Sequence, residues 1–102
     1  MKKILLVCSA GMSTSLLVSK MRISAKEQGI DCDIHAIAES EVDEYKKDFD
    51  VLLLGPQIRF LFSKLNSKFG DEGIPVSIIS TVDYGTMNGE KVLKHALDLI
   101  KK

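Results

Sequence analysis

The chain has no tryptophan, two prolines and two cysteines among 102 residues, and its fourteen basic and fourteen acidic side chains cancel. Each scarcity excludes something. Two cysteines without metal-ligand spacing make neither a disulfide framework nor a zinc site, and read as reduced thiols. Charge neutrality removes the field that would gather nucleic acid or an anionic membrane surface. The longest apolar runs, residues 4–8 and 51–54, are far too short to span a bilayer. Four aliphatic residues separate Lys3 from Cys8, so no signal peptide is expected and the chain reads as cytoplasmic. With 45% hydrophobic and 27% charged residues, the composition is that of a folded domain rather than a disordered segment.

What is present is an alternation of apolar strands and helical patterns, undivided by linker or repeat, so residues 1–102 are expected to form one domain. Strands are predicted over residues 3–8, 31–38, 51–54 and 75–79. Helices are predicted over about 14–28, 40–46, 57–69 and 89–102, with 81–88 rich in turns. Ser13 suits the N-cap of the first helix and Gly29 its C′ position. The unbroken Ile4-Leu5-Leu6-Val7 run suits a strand covered on both faces. Alternation over 31–38 suits an edge strand. The βαβαβαβα order predicts an α/β fold, a four-stranded parallel sheet of order 2-1-3-4 with helices on both faces, flavodoxin-like or like the low-molecular-weight phosphatases. At its switch point the loops after strands one and three converge, bringing Cys8 toward Gly55-Pro56-Gln57.

Cys8 ends the first strand and is followed by the small polar stretch Ser9-Ala10-Gly11-Met12-Ser13-Thr14-Ser15, which opens onto a helix. Free amides and the helix dipole at such a place favour an anion. A thiol there is expected to ionise readily, and Ser9 through Ser15 to cradle a phosphate. Gly11 would permit close approach and positive φ. Cysteine-dependent phosphatases carry Cys-x5-Arg in the corresponding loop; here the arginine position is Thr14. Without that clamp the loop reads as one that receives and stores a phosphoryl group rather than hydrolysing it. Asp83 is the one candidate for a general acid, and a small phosphatase is the alternative reading.

The segment Val7-Cys8-Ser9-Ala10-Gly11-Met12-Ser13-Thr14-Ser15-Leu16-Leu17-Val18-Ser19-Lys20-Met21-Arg22 is very similar to the phosphocysteine region of the IIB component of the bacterial sugar phosphotransferase system, in its lactose/cellobiose (N,N′-diacetylchitobiose) family. Residues 50–58 form a second matching block, and Tyr84-Gly85 with Val92-Leu93-Lys94 a weaker third. The resemblance implies a relay. A histidine of the IIA protein passes a phosphoryl group to Cys8, and Cys8 donates it to a β-disaccharide, cellobiose-like or diacetylchitobiose-like, held by the membrane transporter IIC. It also implies work beside that transporter without insertion into the membrane, and neither metal nor cofactor.

Other residues take plainer readings. Cys32 alternates with Ile34 and Ala36 and is expected to pack; His35 and His95 read as surface or structural. On the first helix, Leu17, Val18, Met21 and Ala25 share the arc that should face the sheet. Leu16 and Ile23 project away from it, beside Lys20. Met12, Leu16, Lys20 and Ile23, with Gln57 and Arg59, are the expected partner-docking set, and Phe60 points away from the neighbouring core stripe.

Overall fold

The computed structural model describes residues 1–9, 11–44 and 48–100, with backbone alone at 11–13. Four strands, β1 (Lys2–Cys8), β2 (Cys32–Ala38), β3 (Val51–Leu54) and β4 (Val76–Ile78), form one parallel sheet of order β2-β1-β3-β4. The helices are α1 (Gly11–Glu27), α2 (Phe62–Gly70), α3 (Thr81–Gly85) and α4 (Gly89–Ile100).

Burial follows the side-chain alternation of the central strands. Ile4 and Leu6 of β1, with Val51 and Leu53 of β3, pack under α1 and α4 against Leu17, Met21, Val92 and Leu93. Leu5, Val7, Leu52 and Leu54 face the other way, onto Ile58, Leu65 and Phe69. Both faces of β1 and β3 are therefore dry, which is why their sequences are continuously apolar. The edge strand β2 is half-covered, and the Arg22 guanidinium donates to the Ile34 carbonyl there. That bond occupies an acceptor that would otherwise be open to another strand.

Several boundaries differ from expectation. α1 starts at Gly11, so Ser13 lies inside its first turn and is not the N-cap, and Gly11 has a helical rather than a positive-φ role. The far end closes as expected: Gly29 has φ +68°, its amide donates to the Lys26 carbonyl, and the Ile30 amide donates to Ala25. The expected helix over 40–46 is a single 3-10 turn, Glu39–Glu41, in which the Glu41 carboxylate accepts from the Ala38 amide. Residues 45 and 46 lie outside the described residues. The helix expected from residue 57 is a 3-10 segment, Pro56–Leu61, that runs into α2. Ile58 leaves helical dihedrals (φ −119°, ψ 26°) while its side chain is buried among the α2-side core. Packing overrides helical continuity at that residue. Residues 81–85, expected as turns, form α3, whose cap is the Ser80 hydroxyl accepting from the Asp83 amide.

α4 crosses α1 at very short range. A Cβ on Gly89 would lie 2.6 Å from the carbonyl carbon of Lys20 and 2.7 Å from the amide nitrogen of Met21. Both are backbone atoms that cannot swing aside. Gly89→Ala is expected to cost about 1–3 kcal/mol in urea unfolding. Gly85→Ala, where a Cβ meets open space, should be neutral or slightly stabilising.

Candidate active site

The site is assembled at the C-terminal edge of the sheet. β1 delivers Cys8, and α1 begins three residues later. A helix starting at Gly11 leaves the amides of its first turn without intrahelical acceptors, so they supply anion-binding capacity beside the thiol. Ser15 lies in the second turn, where a helical amide is directed back to the carbonyl four residues earlier. Its backbone therefore drops out of the expected cradle. Ala10 lies outside the described residues, as do the side chains of Gly11, Met12 and Ser13; Ser9 is exposed at the end of β1.

The cysteine itself is 1% exposed, and its Sγ lies 3.9 Å from the Ile37 carbonyl oxygen on β2, within a thiol's long hydrogen-bonding range. The loop after β3 comes alongside, as its position at the switch point requires. The Gly55 amide donates to the Val7 carbonyl at 2.9 Å. A Cβ on Gly55 would stand 3.7 Å from Cys8 Cβ and 2.8 Å from Gln57 Oε1. Glycine thus leaves room for the Gln57 amide to fold back over residue 55, next to the cysteine.

Thr14 does not offer its hydroxyl to an anion. It is 1% exposed, and its Oγ1 pairs with the Tyr84 hydroxyl at 3.1 Å. Tyr84, on α3, is a neighbour of this loop that no sequence pattern singled out for the site. It stood within the third similar block, but nothing local to Tyr84-Gly85 signals a partner 70 positions away. Tyr84 also lines a groove of about 570 Å³ with Pro56, Gln57, Arg59 and Thr81. Asp83 faces elsewhere, into a smaller groove with Ser80 and His95. The arginine position is therefore filled by a threonine tied to tyrosine, and the candidate acid opens onto a different groove.

The expected docking set divides in two. Gln57 and Arg59 line the groove that holds Tyr84, whereas Lys20 and Ile23 line another, with Asn88 and Glu90 at the start of α4. Leu16 (51%) and Phe60 (74%) are exposed, as expected. Cys32 packs beside the α1 face; partial burial, then the Asp31 carboxylate, push its thiol above the usual cysteine range. His35 pairs with Asp33 at 2.7 Å and His95 Nε2 lies 2.9 Å from Ser77 Oγ, both away from Cys8 on the surface. Among the described residues no three His, Cys, Asp or Glu side chains gather as a metal site, and no helix is long and apolar enough to cross a membrane.

A parallel α/β domain with a cysteine at the end of an inner strand, three residues before a helix, defines the class. The family model for the lactose/cellobiose-specific IIB subunit of the phosphotransferase system matches residues 3–95, and the chain belongs to that family. An oligo-β-mannoside-specific EIIB component of Bacillus subtilis is 42% identical over 98% of this chain and 97% of its own length. A cellobiose-specific EIIB component of Lactococcus lactis is 43% identical over 97% and 96%, and a galactose-specific one from the same species 44% over 97% and 96%. The solution structure of a cellobiose-specific IIB protein from Borrelia burgdorferi superposes with a TM-score of 0.81 at 50% identity, covering 98% of this chain and 92% of that one. A lactose-specific IIB domain from Streptococcus pneumoniae, 17% identical over 95% of both chains, shares the fold with a TM-score of 0.85. As a IIB component the chain is a phosphotransferase that works with IIA and IIC partners in sugar uptake.

The Gly55 contact yields a separable expectation. Its φ of −61° and ψ of 146° suit any residue, and the clash is with a flexible side-chain end. Gly55→Ala should unfold within about 1 kcal/mol of the parent in urea. It should nevertheless slow phosphotransfer, by the same factor as Gln57→Ala, in a single-turnover assay.

Proposed function

We propose that Cys8 is the residue that bears the phosphoryl group. The observation that supports this most is its position: the last residue of an inner strand, three residues before α1 and beside the loop that begins at Gly55. In the first step a phosphohistidine of IIA loses its N–P bond as the S–P bond forms, and the thiol proton passes to the departing imidazole. In the second, a sugar hydroxyl held by IIC attacks phosphorus, the S–P bond breaks, and the hydroxyl proton returns to sulfur or solvent.

Such transfers run through a loose transition state with charge spread over the equatorial oxygens, so aligned donors matter more than covalent chemistry. Amides of residues 9–13 are the donors in this reading, with Thr14 in place of an arginine that would hold the dianion too tightly for release. The sugar is proposed to be a β-linked disaccharide of the cellobiose or diacetylchitobiose type, received beside the transporter at the cytoplasmic face. Relatives of nearly equal similarity are named for oligo-β-mannoside, cellobiose and galactose, so the choice of sugar is assigned to IIC.

Docking is proposed to use the groove of Gln57, Arg59 and Tyr84 together with Met12, the exposed Leu16 and Phe60, and Lys20 and Ile23 of α1. One surface must serve two partners in turn, which favours a small, transient interface.

Two measurements follow. With phosphorylated IIA and membranes containing IIC, Cys8→Ser should fall to background both for protein labelling and for sugar phosphate formation. Labelling of Cys8→Ser at the parent rate would refute the assignment. Leu16→Asp should lower the second-order rate of labelling by about tenfold without changing the urea midpoint; an unaltered rate removes Leu16 from the docking surface.

A further inference from the structure

The bond between Thr14 and Tyr84 joins two hydroxyls in a nearly dry place, with the tyrosine only 7% exposed. Thr14 is the fourth residue of α1 and directly follows the three whose amides the helix leaves open. Tyr84 comes from a distant part of the chain, 70 positions away. Its helix α3 hangs from the end of β4, where the Ile79 amide donates to the Leu54 carbonyl at 2.8 Å. Its ring belongs to the same core cluster as Leu17, Met21 and Leu93. The tight crossing by α4 grips α1 farther along, at Lys20 and Met21. At the opening turn, the tyrosine hydroxyl provides a polar tie between Thr14 and the rest of the fold.

We propose that Tyr84 is a positioning residue for phosphoryl transfer: through Thr14 it fixes where the first turn of α1 stands relative to the Cys8 sulfur. The proposal rests on Cys8 being the phosphoryl-bearing residue. Its physical basis is that amide donors support a transferring phosphoryl group only when held in place, and a displacement of about 1 Å can cost up to about a hundredfold in rate. A hydroxyl pair suits the task. It is directional, and if either member is removed the other is left buried without its partner.

The test compares the parent chain with Tyr84→Phe, Thr14→Val, Thr14→Ser, Cys8→Ser and the Tyr84→Phe/Thr14→Val pair, using phosphorylated IIA as donor. Single-turnover rates, the phosphorus-31 shift of the phosphocysteine, the amide shifts of residues 11–13 and urea midpoints are recorded for each. Tyr84→Phe and Thr14→Val should each slow transfer about tenfold and move the amide and phosphorus signals under conditions where the protein is fully folded. The double variant should be no slower than either single one, and Thr14→Ser should remain close to the parent. If Thr14→Val fails to fold, Tyr84→Phe, which loses one oxygen atom, and Thr14→Ser decide. Parent-like rates and spectra in Tyr84→Phe would overturn the positioning role while leaving Cys8 in place, as would a loss that only tracks the unfolded fraction. A parent chain that acquires no more label than Cys8→Ser would overturn the Cys8 assignment, and this role with it.

Discussion

The amide of Gly55 donating to the carbonyl of Val7 carries the ladder between β1 and β3 one step past the last paired residues. Most of what is distinctive about the site follows from that step. Parallel neighbours deliver their C-terminal ends to the same edge, and a strand order that reverses at β1 leaves a cleft between the loops that leave them. That bond draws those loops together until a side chain at residue 55 would reach the cysteine. Only hydrogen fits at that α-carbon if Gln57 is to lie where it does. The core supports the geometry from both sides, since alternate residues of β1 and β3 are clamped by separate sets of helices.

The sheet was legible because its signal is local and redundant. Continuous aliphatic runs at 4–7 and 51–54 reflect burial on two faces, and the alternation over 31–38 reflects the half-covered edge. Residues 75 and 79, within the expected strand but outside β4 as observed, still carry ladder bonds, from the Leu52 amide to the Pro75 carbonyl and from the Ile79 amide to Leu54. The buried face of α1 was legible too, because Leu17, Val18, Met21 and Ala25 repeat at helical spacing.

What escaped the sequence depended on contacts between distant residues or on competition between weak preferences. Gly11 and the serines around it have low helix propensity, yet a first turn needs little of it because its amides are unpaired in any case. Ile58 bends a nascent helix because its side chain has a core to enter, and no pattern in Pro56–Leu61 announces that. Thr14 illustrates the limit best. By spacing it is the arginine position of a phosphatase loop; by structure it is a buried hydroxyl engaged by Tyr84.

The near-complete enclosure of Cys8 has a consequence for the life of the molecule between turnovers. Oxidants attack sulfur in proportion to its access and thiolate character. The Cys8 sulfur is therefore shielded from peroxide and from stray electrophiles. On the proposed reading of Cys8, admission to sulfur becomes a matter of shape: the end of β1 has to open for the donor, and a docked protein can drive that opening where a small diffusing molecule cannot. Fidelity then comes from who can open the door as much as from the chemistry behind it.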